Sequence, residues 1–315
     1  MRPLIVNQIG PEVTAALSAH PARPLVREVA PDREPWLVSD ADVLITGPHP
    51  AWLDAPDAGP SGWPGRLRWV QTASAGIDWM PRWMLDGPVV TCGRGHSAVP
   101  IAEYVLTAML LHEKRLDAIS IRSRDDWTRH ALGTLDGRTL GLAGYGAIGR
   151  AVAVRARAFG MQVAAWRRSA WAEDEAPGVS RVGSLAELAS ISDHLVLALP
   201  LTGATRHCVD HAVFEAARPG LHLVNIARGG LLDQAALLTA LDKGRLGFAT
   251  LDVTDPEPLP DGHPIYVHPR IRLTPHVSWS GHGTRTRLTE QILGNLTAYA
   301  RGETLRDVVD PARGY

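Results

Sequence analysis

The segment "DGRTLGLAGYGAIGRAVAVRARAFG", residues 136–160, decides the fold class of this chain. Its pattern predicts a buried strand over 140–143, a glycine-rich turn over 144–149 and a helix over 150–159. The turn has the form GxGxxG and stands directly between the strand and the helix. A GxGxxG turn in that setting is typical of a dinucleotide-binding α/β unit.

Each part of the glycine-rich turn has a physical role in binding a pyrophosphate. Gly144 permits the tight turn, Gly146 lets a phosphate approach the backbone, and Gly149 allows the helix to pack closely on the strand. Ala147 and Ile148 complete the turn, and the helix that follows offers free N–H groups and the positive end of its dipole. We therefore expect these five residues to contact the phosphates of a dinucleotide.

Short apolar runs alternate with helical or turn-rich stretches on both sides of this segment. The runs predicted to be strands are "PLIVNQI", "PLVREVA", "DVLITG", "LRWVQTA", "PVVTCG", "QVAAW", "HLVLALP", "LHLVNIA", "GFATLDV" and "IRLTPHV". A long apolar helix is predicted over 100–116, and an amphipathic helix precedes Gly302. The alternation predicts an α/β fold of doubly wound parallel sheets that are covered by helices.

The overall composition excludes several classes of function. The formal net charge is −1, which gives none of the general basic character that nucleic-acid binding needs. Cys92 and Cys208 have no metal or redox spacing, and this fits a reduced compartment. No run approaches the roughly 18 apolar residues of a membrane span, and "MRPLIVNQIG" lacks the apolar core of a signal peptide. We expect a cytoplasmic enzyme with no metal, no nucleic-acid partner and no membrane partner.

The segment "MQVAAWRRSAW", 161–171, occupies the place where a dinucleotide fold contacts the adenosine ribose. A carboxylate about 20 residues after the glycines normally accepts the ribose 2′-hydroxyl of NAD, but here that place falls at Trp166 and Arg167. An arginine can bind a 2′-phosphate through two hydrogen bonds, whereas a carboxylate would repel it. Arg167, Arg168 and Ser169 therefore favour NADP(H). The alternative is a pair of solvated arginines in an arginine-rich chain that uses NAD(H).

Three further motifs follow apolar runs, so we expect them at the carboxyl ends of strands. They are "VNIARGGLLD" (224–233), "LDVTDPEPLP" (251–260) and "LTPHVSW" (273–279). Ligands of open α/β sheets bind at this edge. Together with the glycine-rich turn, these motifs closely resemble those of the D-2-hydroxyacid dehydrogenase family. The resemblance is continuous from about residue 66 to residue 300.

The resemblance implies two α/β domains with a cleft between them. The cofactor domain, a Rossmann fold, would take 100–284, and the substrate domain, a flavodoxin-like fold, would take 1–99 with 285–315. Family members are commonly homodimers, and the helix at 100–116 is the expected contact between subunits.

The resemblance also assigns catalytic roles to three residues. Arg228 corresponds to the arginine that binds the substrate, His276 to the general acid/base, and Glu257 to the acidic partner of the histidine. Reduction of a 2-oxo acid places negative charge on the carbonyl oxygen, which a guanidinium can stabilise and an imidazolium can protonate. A carboxylate beside the imidazole favours the charged ring and fixes its orientation.

Further substrate and cofactor contacts follow from the same resemblance. The N–H groups of Ala75 and Gly76 correspond to a cradle for the substrate carboxylate, and a plain strand–loop turn is the alternative. Trp279 is expected to wall the substrate pocket or else to serve in packing. Cofactor contacts are expected from Pro200, Thr205, Ala227, Asp252 and His276. Asp252 could instead be a carboxylate satisfied within the core.

These observations support a leading hypothesis and an alternative from a different class. The first is an oxidoreductase that transfers hydride between NADP(H) and a small 2-oxo acid of the glyoxylate or hydroxypyruvate type. The second is a nucleotide-sensing interaction protein, because transcriptional corepressors of this fold keep the same arginine, glutamate and histidine. A third alternative is oxidation of a one-carbon or inorganic substrate. Formate-oxidising relatives carry an amide where Glu257 stands, which argues against formate, and phosphite oxidation has no positive support in the sequence.

Overall fold

The computed structural model describes residues 2–32, 34–171 and 176–315 of the chain. The chain divides into two compact units. The terminal unit consists of Met1–His96 with His282–Tyr315, and the central unit consists of Ser97–Gly281. The boundaries predicted from the sequence lie three residues away at both junctions (99 against 96, and 284 against 281). The roles of the two units as substrate and cofactor domains stay a prediction.

Strands and α-helices alternate along most of the described chain. The strands are β1 (Leu4–Asn7), β2 (Leu25–Glu28), β3 (Val43–Thr46), β4 (Trp69–Thr72), β5 (Val89–Thr91), β6 (Thr139–Ala143), β7 (Gln162–Trp166), β8 (Ser180–Arg181), β9 (His194–Leu197), β10 (Leu221–Asn225), β11 (Leu246–Leu251) and β12 (Ile271–Leu273). The α-helices are α1 (Pro11–Ser18), α2 (Ala98–Lys114), α3 (Leu116–Ile119), α4 (Ala147–Ala158), α5 (Leu185–Ile191), α6 (His211–Ala216), α7 (Gln234–Asp242) and α8 (Thr284–Arg301). Short 3-10 helices cover Pro50–Asp54, Arg82–Leu85, Arg124–Asp126, Gly229–Leu231 and Pro264–Tyr266.

The terminal unit is built on a parallel sheet with the strand order β2-β1-β3-β4-β5. Helix α8 covers one face of this sheet through Leu288, Ile292 and Leu296, which pack against Ile5 and Trp69. These leucine and isoleucine positions recur every four residues, so they lie on one side of the helix. The helix ends at Arg301, and Gly302 follows it as the predicted terminating residue with a left-handed φ of 68°.

The central unit contains a second parallel sheet with the strand order β12-β11-β10-β9-β6-β7-β8. Helices α2 and α4 pack on one face, and α5, α6 and α7 pack on the other. The chain winds outward from β6 in both directions, so the strand order reverses between β6 and β9. The prediction of an α/β fold with two parallel sheets flanked by helices is confirmed. No helix in the described ranges is long and apolar enough to cross a membrane.

The long helix predicted over 100–116 has different ends in the structure. It begins at Ala98, which places Pro100 in its first turn, where backbone N–H groups have no partner within the helix. It ends at Lys114 because Arg115 takes a left-handed conformation with a φ of 47°. Strand β8 was not predicted, since its two exposed residues form no apolar run.

Candidate active site

The candidate site lies at the carboxyl edge of the central sheet. All strands of this sheet run parallel, so their carboxyl ends meet at one edge. The motifs predicted from the sequence follow six of these ends. Gly144 follows β6, Arg167 follows β7, Pro200 follows β9, Arg228 follows β10, Asp252 follows β11 and His276 follows β12. The sheet therefore gathers at one edge residues that are far apart in the chain.

The glycine-rich turn has the backbone that its sequence predicts. Gly144 has a φ of 105°, and a Cβ there would lie 2.4 Å from the carbonyl oxygen of Ala198. A Cβ at Gly149 would lie 2.4 Å from the carbonyl oxygen of Gly144, so helix and turn are in close contact. At Gly146, by contrast, a Cβ would meet no heavy atom of the described residues within 4 Å. That open space leaves the backbone accessible to a phosphate.

Helix α4 begins earlier than the sequence pattern predicts. Gly146 is the residue before the helix, with a φ of −88° and a ψ of −154°, and the helix starts at Ala147 rather than at 150. Ala147 and Ile148 therefore lie in the first helical turn, where N–H groups without helical partners can bind an anion. The turn and the helix start together fit the pyrophosphate of a dinucleotide.

The sheet register brings Arg167 next to the glycine-rich turn. Ala143 pairs with Trp166 across β6 and β7, and the Gly144 N–H donates to the Trp166 carbonyl at 2.8 Å. Arg167, Arg168 and Ser169 come immediately after this pair, and both Arg168 and Ser169 are exposed. The arginine pair thus stands where an NAD-selective carboxylate would otherwise be.

An aromatic ring that the sequence reasoning missed, that of Trp171, lies against Arg167. Its Nε donates to the Ser169 carbonyl at 3.1 Å, and its guanidinium carbon lies 4.4 Å from the ring centroid of Trp171. The guanidinium of Arg181 is 5.2 Å from the same ring, and the ring of Tyr145 is also 5.2 Å away. The signal was available, since an aromatic residue follows the arginine pair closely in the sequence. Cationic and aromatic groups therefore share this part of the edge.

Asn225 shapes the loop that carries Arg228. Its side-chain Nδ2 donates to the Arg228 carbonyl at 2.9 Å, and its Oδ1 accepts the N–H of Ala227 at 3.1 Å. The Nη1 of Arg228 donates to the Ala227 carbonyl at 2.7 Å. A Cβ at Gly229 would lie 1.9 Å from the carbonyl carbon of Thr254, so only glycine allows this loop to pack so closely. Asn225 was not singled out from the sequence.

The structure brings Glu257, His276 and Trp279 together. Glu257 Oε2 lies 3.1 Å from His276 Nδ1. Because a carboxylate only accepts hydrogen bonds, Nδ1 carries the proton and Nε2 is the nitrogen that can serve a substrate. The indole N–H of Trp279 donates to the His276 carbonyl at 2.8 Å. The side chains of His276 and Glu257 are 35% and 41% exposed, so both are accessible from outside the fold.

Asp252 holds the loop on which His276 lies. Its fully buried carboxylate accepts the hydroxyl of Thr274 at 2.6 Å and the N–H groups of Val277 at 3.0 Å and Ser278 at 2.9 Å. Its carbonyl oxygen accepts the N–H of His276 at 2.8 Å. His276 has a left-handed φ of 52°, a conformation that costs a residue with a Cβ roughly 1 kcal/mol. These bonds maintain that conformation, and a cofactor contact of Asp252 stays a prediction.

The hydroxyl of Thr205 is used within its own loop. It donates to the Pro200 carbonyl at 2.7 Å and accepts the N–H of Thr202 at 2.8 Å. Thr205 therefore shapes the loop after β9, and the predicted cofactor contacts of Pro200 and Thr205 stay predictions. No group of three or more His, Cys, Asp or Glu side chains in the described part of the chain could hold a metal ion.

Ala75 and Gly76 lie in the terminal unit, in the loop after β4. The Ser74 hydroxyl donates to the Gly76 carbonyl at 2.6 Å, and the Trp79 indole donates to the Ser74 hydroxyl oxygen at 2.9 Å. Among the described residues, the N–H groups of Ala75 and Gly76 have no acceptor. The loop thus offers two backbone donors, as a carboxylate cradle requires.

Comparison with known proteins adds independent observations. Residues 106–278 match the family model described as D-isomer specific 2-hydroxyacid dehydrogenase, NAD binding domain. The chain is 33% identical over 263 residues to glyoxylate/hydroxypyruvate reductase A of Serratia proteamaculans, covering 80% of this chain and 82% of that protein. Its structure is similar to that of a D-isomer specific 2-hydroxyacid dehydrogenase from Xanthobacter autotrophicus in complex with NADPH and MES. That similarity has a TM-score of 0.80 and 26% identity, and it covers 100% of both chains. An NADPH-dependent glyoxylate/hydroxypyruvate reductase from Sinorhizobium meliloti, in complex with NADP and sulfate, is similar with a TM-score of 0.79 and 25% identity over 100% of both chains.

Proposed function

The chain belongs to the D-isomer specific 2-hydroxyacid dehydrogenase family, and from this we propose that it reduces a small 2-oxo acid of the glyoxylate or hydroxypyruvate type with NADP(H). A member of this family is an oxidoreductase with a nicotinamide cofactor. The proposal rests above all on the pair formed by Glu257 and His276, at the sheet edge that also carries Arg228. The relatives described above are named as enzymes, so they give no support to an interaction protein.

Arg228, His276 and Glu257 have different roles in the proposed reaction. The guanidinium of Arg228 binds the acid and stabilises the negative charge that develops on its carbonyl oxygen. Nε2 of His276 donates a proton to that oxygen, while Glu257 holds Nδ1 and stabilises the imidazolium. NADP(H), when bound, supplies the hydride. The N–H groups of Ala75 and Gly76 are proposed to contact the substrate carboxylate.

Trp279 supports a small substrate. Its ring is anchored beside His276 by the bond to the His276 carbonyl, and half of the side chain is exposed. A bulky ring next to the proton donor restricts the space for the group attached to the 2-oxo carbon. This favours a short 2-oxo acid over one with a long or branched side chain.

A screen of 2-oxo acids with NADPH and with NADH tests the proposed function. Glyoxylate and hydroxypyruvate are expected to be reduced faster than longer acids. Arg228→Ala should lower kcat/KM at least about 100-fold, because removing a group that stabilises developing charge has an effect of this size, and should leave NADPH affinity nearly unchanged. Arg245→Ala, at an exposed arginine paired with Glu215, is the matched control. The absence of turnover with every acid would overturn the proposal.

Preference for NADP(H) is supported by the place of the arginine pair. Arg167 follows the Ala143–Trp166 pair directly, and no carboxylate occurs between 166 and 171. Arg167→Asp is expected to lower the ratio of kcat/KM with NADPH to kcat/KM with NADH by about tenfold or more, since one charge-assisted contact is lost and a repulsive charge is introduced. An unchanged ratio, or a wild-type preference for NADH, would contradict this assignment.

We also propose that two copies of the chain form a homodimer through α2 and the segment 115–132 that follows it. Large apolar side chains of this segment are exposed: Leu116 by 53%, Ile121 by 45%, Trp127 by 76% and Leu132 by 44%. Exposed apolar groups clustered along one segment typically mark a surface that a partner covers. A second copy of the chain would remove them from water.

A cytoplasmic location remains part of the proposal. Both cysteines, Cys92 and Cys208, are free thiols. Burial raises the pKa of the Cys208 thiol to about 11 and also raises the pKa of the Cys92 thiol. Unpaired, protonated thiols suit a reducing compartment. Detection of the protein in the cytosolic fraction of its native cells would test this point.

A further inference from the structure

Tyr104 is hydrogen-bonded to the loop that carries His276, although no sequence pattern singles it out. It lies in the first half of α2, and its hydroxyl oxygen is 2.6 Å from Thr274 Oγ1. The two residues are 170 positions apart in the chain. Burial raises the pKa of the Tyr104 hydroxyl above its ordinary value of 10.0, so the group is a neutral phenol at physiological pH.

The direction of the hydrogen bonds follows from the chemistry of the acceptors. A carboxylate has no proton to donate, so the single hydroxyl proton of Thr274 is donated to Asp252 Oδ1 at 2.6 Å. Thr274 Oγ1 can then only accept from Tyr104, and the phenol is the donor. The result is a directed chain in which Tyr104 donates to Thr274 and Thr274 donates to Asp252. Asp252 in turn accepts the N–H groups of the loop around His276.

Helix α2 is a firm support for this chain. Tyr104 packs against the same apolar cluster as the neighbouring α2 residues Ile101, Val105 and Met109, all of which are nearly or fully buried. The bond from this helix therefore adds a support that lies outside the sheet, whereas the Asp252 contacts hold the loop from the end of β11. The loop is thereby held from the helix side as well as from the strand side.

We propose that Tyr104 is a positioning residue for His276, acting through Thr274 and Asp252. This inference rests on the proposed function, in which His276 donates a proton to the substrate. Loss of the Tyr104 hydroxyl would let the loop shift by a fraction of an ångström. A shift of that size lengthens the distance between Nε2 of His276 and the carbonyl oxygen of the substrate. Displacements of about 1 Å in a catalytic group lower rates by as much as about 100-fold.

The test compares Tyr104→Phe with Tyr299→Phe as a matched control. Tyr299 lies in the terminal unit, where its ring packs on Trp69 at 5.6 Å. Tyr104→Phe is expected to lower kcat for glyoxylate reduction about tenfold. KM for NADPH should stay within about twofold of the wild-type value, because the glycine-rich turn is untouched. Tyr299→Phe should leave both constants unchanged.

Variants at Thr274 provide a second line of evidence that does not depend on one substitution. Thr274→Val removes both hydrogen bonds and is expected to lower kcat more than Tyr104→Phe does. Thr274→Ser keeps the hydroxyl and should restore most of the rate lost in Thr274→Val. The double variant Tyr104→Phe/Thr274→Val should be no slower than Thr274→Val alone, since the tyrosine acts only through the threonine. Effects that multiply in the double variant would overturn the proposed chain.

A spectroscopic measurement separates failure of this inference from failure of the proposed function. The ring resonances of His276 can be assigned by their loss in His276→Gln, and they should shift or broaden in Tyr104→Phe but not in Tyr299→Phe. If the wild-type protein reduces no 2-oxo acid, the proposed function fails while this measurement still tests the positioning. Unchanged His276 resonances in Tyr104→Phe, or an unchanged kcat, would refute the proposal that Tyr104 positions His276.

Discussion

Exchanging the buried carboxylate of Asp252 for an amide measures how strongly the fold depends on one side chain. Asp252→Asn keeps the size of the side chain but replaces one acceptor with an NH2 donor. Among the described residues, Oδ1 accepts two donors, from Thr274 and Val277, whereas Oδ2 accepts one, the Ser278 N–H. The amide oxygen is therefore expected at the Oδ1 position, and the NH2 group would face the N–H of Ser278.

The free-energy change can be worked out from these contacts. One buried N–H of Ser278 loses its acceptor, which costs about 1–3 kcal/mol. The two remaining bonds lose the assistance of a negative charge, which makes them roughly half as strong and adds about 1 kcal/mol. We expect Asp252→Asn to lower the free energy of unfolding of the central unit by about 3 kcal/mol, or about 6–12 °C in melting temperature for a unit of this size.

The assay combines unfolding with kinetics on the full chain. Thermal and urea unfolding give the stability, kcat reports the position of His276, and NADPH affinity reports any direct cofactor role of Asp252. Asp261→Asn is the control, because Asp261 is an exposed aspartate of the same unit. If Asp252→Asn were as stable as Asp261→Asn, the reasoning about the buried carboxylate would be refuted. Weaker NADPH binding with normal stability and kcat would instead support the cofactor contact.

Three further predictions follow from other parts of the structure. Gly144→Ala should lower the free energy of unfolding by about 3 kcal/mol and abolish NADPH binding, because its Cβ would collide with a backbone carbonyl. Gly146→Ala should fold normally and only weaken NADPH binding. Equal melting temperatures of the two variants would contradict this prediction. Burial lowers the pKa of His112 from 6.5 to about 4 and that of His222 well below 6.5, so their contribution to stability is fully present above pH 6.5 and is lost as the pH falls towards 4. Urea unfolding should show a lower stability at about pH 5 than at about pH 7, with about 1 kcal/mol of the difference from His112 after a discount for its partial exposure, and a flat profile would be evidence against this cause. Trp127→Ser should convert the proposed dimer to a monomer, and light scattering that still gives the dimer mass would argue for another interface.

Local sequence patterns were enough to predict most of the fold. The strand, glycine-rich turn and helix around Gly144 were predicted because their residues are consecutive in the chain. The turn was also recognisable because Gly144 has a positive φ, a backbone conformation that few residues other than glycine adopt. The start of α4 at Ala147 was missed, because hydrophobic periodicity does not resolve a helix end to within three residues. The order of Arg228, Glu257 and His276 along the chain was visible without the structure, but the distance between Glu257 and His276 was not.

By itself, the sequence determined the parallel α/β architecture, the family to which the chain belongs and the residue types at the sheet edge. These features depend on short-range sequence patterns, which can be read within each segment without knowing its position in the fold. Only the tertiary structure showed that Asp252 holds the His276 loop, that Tyr104 donates to Thr274 and that Trp171 lies under the guanidinium of Arg167. The first two contacts join segments that are remote in sequence, so the order and register of the strands, and the helix packed on them, decide which partners meet. The third is local, but it depends on the path of the loop after β7, which side-chain packing decides.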